Sequence, residues 1–149
     1  MESVCPLPSY TPLMNWHIPH ALAGTARPGR SLGSTAQVPI DLVDAWLAEA
    51  RRASVVSILC LLHPEDAHFG LYRALPCDLL DFYRGQGFHV QHIPLKDYEQ
   101  PSPADLAKAY EAYASLPKPV LVHCSAGQGR TGAVVRHILR KITEEKQTH

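Results

Sequence analysis

Val120 to Gly132 reads V-L-V-H-C-S-A-G-Q-G-R-T-G, and this stretch decides the fold. An apolar run meets His123 and Cys124, a glycine-broken loop follows, and Arg130 and Thr131 then open a long amphipathic segment. Val134, Val135, Ile138, Leu139 and Ile142 fall on one side of that segment. The pattern predicts strand, loop and helix, with a polar, fraying tail from Thr143. A loop so placed turns its N–H groups inward at the positive end of a helix, where an anion such as phosphate is held. The same field favours the ionised thiol, so Cys124 is expected to be a thiolate near neutral pH.

Outward from this loop the chain alternates strand and helix patterns. Ser102-Pro103-Ala104-Asp105 is a helix start, with serine as N-cap, proline at the first position and a carboxylate at the third; that helix is expected to reach about Leu116. Phe88 to Leu95 alternates like a strand, and Val55 to Leu62 is an apolar run suited to a strand buried on both faces. Between them Leu75, Leu79, Leu80, Phe82 and Tyr83 mark a helix that Pro76 is expected to start and Gly85 or Gly87 to end. From Ile40, residues Leu42, Val43, Trp46, Leu47 and Ala50 share a helical face, with Asp41 and Asp44 early and Arg51 and Arg52 late. Trp16 to Gly29 reads as a short hairpin or edge pair around Pro19, and Arg30 to Pro39 as loop. The expected fold is α/β: a single-domain three-layer sandwich whose central, mainly parallel sheet is flanked by helices. Residues 1–15 are expected to form an N-terminal arm, with one catalytic domain over residues 16–149.

With 149 residues, 46% of them hydrophobic, the chain can bury a core without cross-links. Its 14 basic and 14 acidic residues cancel, which argues against general affinity for nucleic acid or anionic membrane. Cysteines at 5, 60, 77 and 124 form no C-x-x-C pair, and the nine histidines never take ligand spacing with a cysteine pair. Reduced thiols, no bound metal and a cytoplasmic location are the expectation. The N-terminus lacks a signal-peptide pattern, and no apolar run approaches the roughly 20 residues of a membrane span.

Taken as chemistry, the loop joins a nucleophile to an anion cradle. Arg130 supplies a planar fork for two oxygens of a phosphate, and Thr131 a hydroxyl close enough to assist the sulfur as a leaving group. Gly127, Gly129 and Gly132 allow tight turns and close approach. The competing reading, a structural cysteine in a turn that binds nothing, does not explain why His, Cys, three glycines, Arg and Thr occur together. Thiolate attack on a phosphate ester needs an acid for the leaving oxygen, and Asp97, in the loop Lys96 to Pro101, is the first candidate, with Glu99 second. The bases Arg27, Arg30, Arg51, Arg52 and Lys96 could rim the site, although solvated surface positions are the general expectation. Trp16 is expected in the core.

H-C-S-A-G-Q-G-R-T-G resembles the signature of the cysteine-based protein tyrosine phosphatase superfamily, and the small size its compact, atypical dual-specificity branch. The resemblance is close over Val120 to Val135 and looser over Trp16 to Leu116. It implies that Cys124 forms a phosphocysteine, that Arg130 grips phosphate and that Asp97 acts as acid and then base. It further implies that Thr131 assists hydrolysis, that His123 tunes the thiolate, and that Ser125, Ala126, Gly127, Gln128 and Gly129 cradle the phosphate. No cofactor is implied. Leu95 and Lys96 stand between Pro94 and Asp97, where many members read P-D directly. Some relatives pair the nucleophile with a second cysteine near Cys60, so Cys60 is either a core residue or a redox guard.

The implied substrates are phosphotyrosine and phosphoserine/threonine in a protein or peptide. Phosphoinositides fit less well because Ala126 and Gln128 stand where lipid-specific relatives carry lysines, and the neutral charge disfavours an RNA 5′-phosphatase. A phosphate-binding non-catalytic module and a thiol reductase are the readings from other classes. The chain ends soon after the signature helix, where many relatives continue, so an apolar face is expected to be exposed, covered by the arm or used in self-association; monomer or weak homodimer is the expectation.

Overall fold

A computed structural model describes residues 14–65, 67–97 and 99–147. The expected arm therefore lies almost entirely outside the described residues. The elements in order are β1 (Asn15–Ile18), β2 (Leu22–Thr25), α1 (Ile40–Arg52), β3 (Ser57–Cys60), α2 (Leu79–Gly85), β4 (His89–His92), α3 (Pro103–Ser115), β5 (Val120–His123) and α4 (Gly129–Gln147). Short 3-10 turns at Arg30–Leu32 and Ala67–Leu71 complete the set.

The sheet has the order β1-β2-β5-β3-β4. Among the described residues only the β1–β2 hairpin is antiparallel; β2 with β5, β5 with β3 and β3 with β4 are parallel. The signature strand β5 thus lies at the centre, and every residue of β2, β3 and β5 is buried. Along β3 and beyond, Ile58, Cys60 and Leu62 face one core with Val43, Trp46, Leu47, Phe82 and Tyr83. Leu59 and Leu61 face the other, with Ala109, Tyr113, Val134 and Ile138. One pleated strand therefore feeds both helix layers, α1 and α2 on one side and α3 and α4 on the other. Each of these aliphatic side chains contributes about 1.5–3 kcal/mol relative to an exposed position.

Local chemistry sets most boundaries where the sequence indicates them. Ser102 accepts from Asp105 N at 3.0 Å, and the Asp105 carboxylate returns to Ser102 N at 3.3 Å, the reciprocal cap expected at α3. The other helix starts later than expected. Asp78, not Pro76, begins α2, because its carboxylate accepts from Asp81 N at 2.8 Å and so satisfies a first-turn donor. Nor does α4 fray at Thr143; it continues to Gln147, with Arg140 and Lys141 pairing with Glu144, and Tyr110 donating to Glu145 at 2.6 Å. Trp16, expected in the core, is 40% exposed because β1 is the outermost strand. Trp46, on the apolar face of α1, is buried as expected and stacks on Tyr83 with ring centroids 5.6 Å apart. Among the described residues no helix is long and apolar enough to cross a membrane.

Candidate active site

The parallel strands end at one edge of the sheet, where ligands bind in such folds. A cleft of about 190 Å³ opens there, bordered by Arg30, Ser34, His68, Asp97, Cys124, Ser125, Ala126, Gly129 and Arg130. Four segments far apart in sequence meet in it: the turn after β2, the 3-10 turn after β3, the loop after β4, and the loop between β5 and α4. Glu99 lines a different cleft, with His63, Lys96, Gln100 and Asp105. Of the two candidate acids, Asp97 is therefore the one beside the thiol.

Cys124 follows β5 directly and is almost fully buried. Burial works against ionisation, but it is outweighed by hydrogen bonds from the Thr131 hydroxyl and the Thr131 and Gly127 amides, and by the Arg130 charge. The thiol pKa is held below its ordinary value. Thr131 Oγ1 is buried without a nitrogen or oxygen partner among the described residues, so its hydrogen is left to the sulfur.

Arg130 is 4% exposed, and Nη1 donates to the Leu95 carbonyl at 2.9 Å. Its Nη2 lies 3.7 Å from Asp97 Oδ2. The arginine thus ties the acid loop to the cysteine loop besides facing the cleft. The two extra residues between Pro94 and Asp97 do not displace the acid, because Leu95 is buried and anchored through its carbonyl to Arg130 and through its amide to Leu61 O at 3.1 Å.

The loop glycines are not equivalent. Gly127 has φ 80°, and a Cβ there would lie 2.6 Å from Thr25 C and Ala26 N and 2.7 Å from Thr25 O. Only glycine fits, because the loop is pressed against the end of β2. At Gly129 a Cβ would meet nothing within 4 Å, and at Gly132 only the Arg136 guanidinium at 3.2 Å, so the steric demand expected of all three falls on Gly127. Ser125, Ala126 and Gly129 border the cleft; the Gly127 amide serves the sulfur, and Gln128 O accepts from Gly132 N at 2.6 Å at the start of α4.

His123 is fully buried between Trp46 and Tyr83. Its Nδ1 lies 3.0 Å from the Cys124 carbonyl, which can only accept, so Nδ1 carries the proton. Nε2 then accepts from the Tyr83 hydroxyl at 2.9 Å. Burial drives the imidazole pKa down to about 4, and the hydrogen bond to Cys124 O only partly opposes this. His123 is thus a neutral brace for the Cys124 backbone.

Between the ordinary value of 6.5 and about 4, the unfolded chain binds a proton that the folded chain excludes, so stability falls as pH falls through that window. The loss should total about 3 kcal/mol. Denaturant midpoints at pH 7 and 4.5 should separate strongly in the native protein and much less in His123→Asn; an equal separation in both would assign the acid sensitivity elsewhere.

Neither Cys60 nor Cys124 is in a disulfide; Cys60 belongs to the core on the α1/α2 side and Cys124 to the core on the α3/α4 side. Cys60 is fully buried in its cluster, which accords with a core role.

Several site residues carry no local sequence signal. Arg27, expected among solvated charges, is 1% exposed behind the cysteine loop. Its guanidinium donates to Ser125 Oγ at 3.3 Å, Tyr72 OH at 3.2 Å and Gly33 O at 3.4 Å, and its amide donates to Ser125 O at 2.9 Å. Burial raises the Tyr72 pKa to about 12, so Tyr72 stays a neutral phenol and donates to Pro28 O at 2.6 Å. His68 Nε2 lies 3.3 Å from Ser125 Oγ. The sequence offers for these only an Arg-Pro-Gly turn and a histidine in a loop.

Residues 73–143 match the family model described as "Tc-R-P: Polymorphic toxin system, DSP-PTPase phosphatase". No curated protein matches the chain. Among solved structures, the active form of Tk-PTP is 22% identical, covering 89% of this chain and 84% of that one, with a TM-score of 0.57. A putative phosphatase from Shewanella putrefaciens CN-32 is 19% identical over 89% of this chain and 73% of its own, with a TM-score of 0.63. The core catalytic domain of the PP-IP phosphatase SIW14 from S. cerevisiae is 27% identical over 73% and 60%, with a TM-score of 0.50. These likenesses show the fold, and the family match spans both the acid loop and the cysteine loop.

Proposed function

We propose that this chain is a compact cysteine-based phosphatase of the dual-specificity type and that it hydrolyses phosphate monoesters through a phosphocysteine on Cys124. The observation that carries the reading is the convergence of the Cys124 thiol, the Arg130 fork and the Asp97 carboxylate in one cleft. In the first step the sulfur attacks phosphorus, the P–O bond to the leaving group breaks, and Asp97 gives its proton to the departing oxygen. Arg130 and the loop amides take the charge on the equatorial oxygens. In the second step water attacks phosphorus and gives a proton to Asp97 as the S–P bond breaks. Phosphate leaves, and the Thr131 hydroxyl donates to the returning thiolate.

Phosphorylated tyrosine, serine and threonine side chains of proteins are the first substrates to test. The chain works in this reading without metal or cofactor, as a monomer or weak homodimer in the cytoplasm, where its thiols stay reduced. The test is hydrolysis of an aryl phosphate and of phosphotyrosine and phosphoserine peptides by the native protein and by Asp97→Asn. The variant should lose roughly 10²-fold in kcat on peptides, whose leaving groups need the proton, and clearly less on p-nitrophenyl phosphate. Equal losses on both would remove Asp97 from the acid role, and no turnover of any of these by the native protein would end the reading.

A further inference from the structure

The cleft holds more positive charge than the chemistry just described uses. Arg130 is committed to Leu95 O, Asp97 and the thiol. Arg30 borders the same cleft, and among the described residues no ion pair involves it. Its Nε is buried and, among the described residues, meets no hydrogen-bond partner. A guanidinium that borders the cleft with no carboxylate against it offers an anion in the cleft a charged hydrogen-bonding partner.

The segment that carries Arg30 is fixed rather than loose. Gly29 has φ 80°, with a Cβ position only 2.5 Å from Val38 Cγ1, so the chain is pressed onto Val38. The turn closes through Arg30 N to Arg27 O at 3.2 Å and Gly33 N to Arg30 O at 3.0 Å, while buried Arg27 holds Gly33 O at 3.4 Å. The Ser34 hydroxyl and the His68 imidazole border the cleft beside it.

The other borders are small or polar, and among the described residues no phenyl, phenol or indole ring lines the cleft to sandwich a tyrosine. At about 190 Å³ it also lies below the roughly 300 Å³ at which pockets for drug-sized ligands begin. Such a space suits a small ligand whose second group is also an anion.

We propose that Arg30, with Ser34 and His68, forms a second phosphate subsite beside the cradle at Cys124, so that the preferred substrates are compact esters with a second phosphate within a few bonds of the scissile one. This rests on the phosphatase reading of the cleft, but its test does not require turnover. Calorimetry on the Cys124→Ser protein compares inorganic pyrophosphate with inorganic phosphate. Pyrophosphate should bind at least about tenfold more tightly, the scale of one added charge-assisted contact.

Adding Arg30→Gln should bring that ratio close to one, Arg30→Lys should keep part of it, and Ser34→Ala should lower it modestly. Arg52→Gln, on the exposed side of α1 where Arg52 pairs with Glu49, should leave it unchanged. A ratio near one in the parent, or one that Arg30→Gln and Ser34→Ala both leave intact, overturns the subsite while native turnover of an aryl phosphate still stands. Absence of that turnover overturns the phosphatase reading by itself.

Discussion

Replacing Cys124 with serine is expected to lower turnover of an aryl phosphate by at least about 10⁴-fold, the scale on which loss of a covalent nucleophile is felt. The hydrogen bonds from Thr131 and Gly127 and the Arg130 charge lower a thiol pKa far enough to matter. A serine hydroxyl starts so much higher that the same interactions leave it protonated, and a neutral alcohol is a poor nucleophile. Binding should survive, because Arg130 and the loop amides remain and the charge repelling a phosphate dianion is gone. Single-turnover kinetics with phosphate binding measured in parallel checks both halves. Residual turnover within tenfold of the native rate would mean that the sulfur is not the attacking atom.

The second large effect is expected at Arg130→Lys. A lysine keeps the charge but not the fork. It cannot hold Leu95 O while presenting two donors to a phosphate, as the 2.9 Å bond of Nη1 and the position of Nη2 allow the arginine to do. Removal of one transition-state donor costs about 10²–10³-fold in kcat, and release of the acid loop adds to it. Because Arg130 touches the Asp97 segment, Arg130→Lys and Asp97→Asn should combine to less than the product of their separate effects. Strict multiplicativity in kcat would show that the two residues act independently.

The sequence was most legible where local chemistry decides. The reciprocal cap at Ser102, the apolar stripe of α1 and the doubly buried run around β3 each depend on near neighbours, and each lies where expected. Cys124, Arg130 and Thr131 were legible because one loop carries them. Asp97 was chosen by its loop, and its approach to Arg130 is a tertiary fact.

What the sequence concealed depends on distant partners. Arg27 looks like any surface cation until Ser125, Tyr72 and Gly33 close around it. The extension of α4 depends on Tyr110, which reaches Glu145 from α3. Trp16 is exposed while Trp46 is buried as its helical face implies, because edge position in a sheet is a property of topology and not of hydrophobicity.

The contact of Gly127 with Thr25 and Ala26 bears on how the protein folds. The cysteine loop takes its shape against a segment about a hundred residues earlier, and that segment lies outside the family match at residues 73–143. The matched stretch alone therefore lacks one wall of its own reaction centre. Contacts this remote in sequence carry a large loop-closure cost and form late. Catalytic competence should be the last property to appear on refolding, after the helical signal has returned, which makes enzymatic activity a timer for the docking of the first hairpin onto β5.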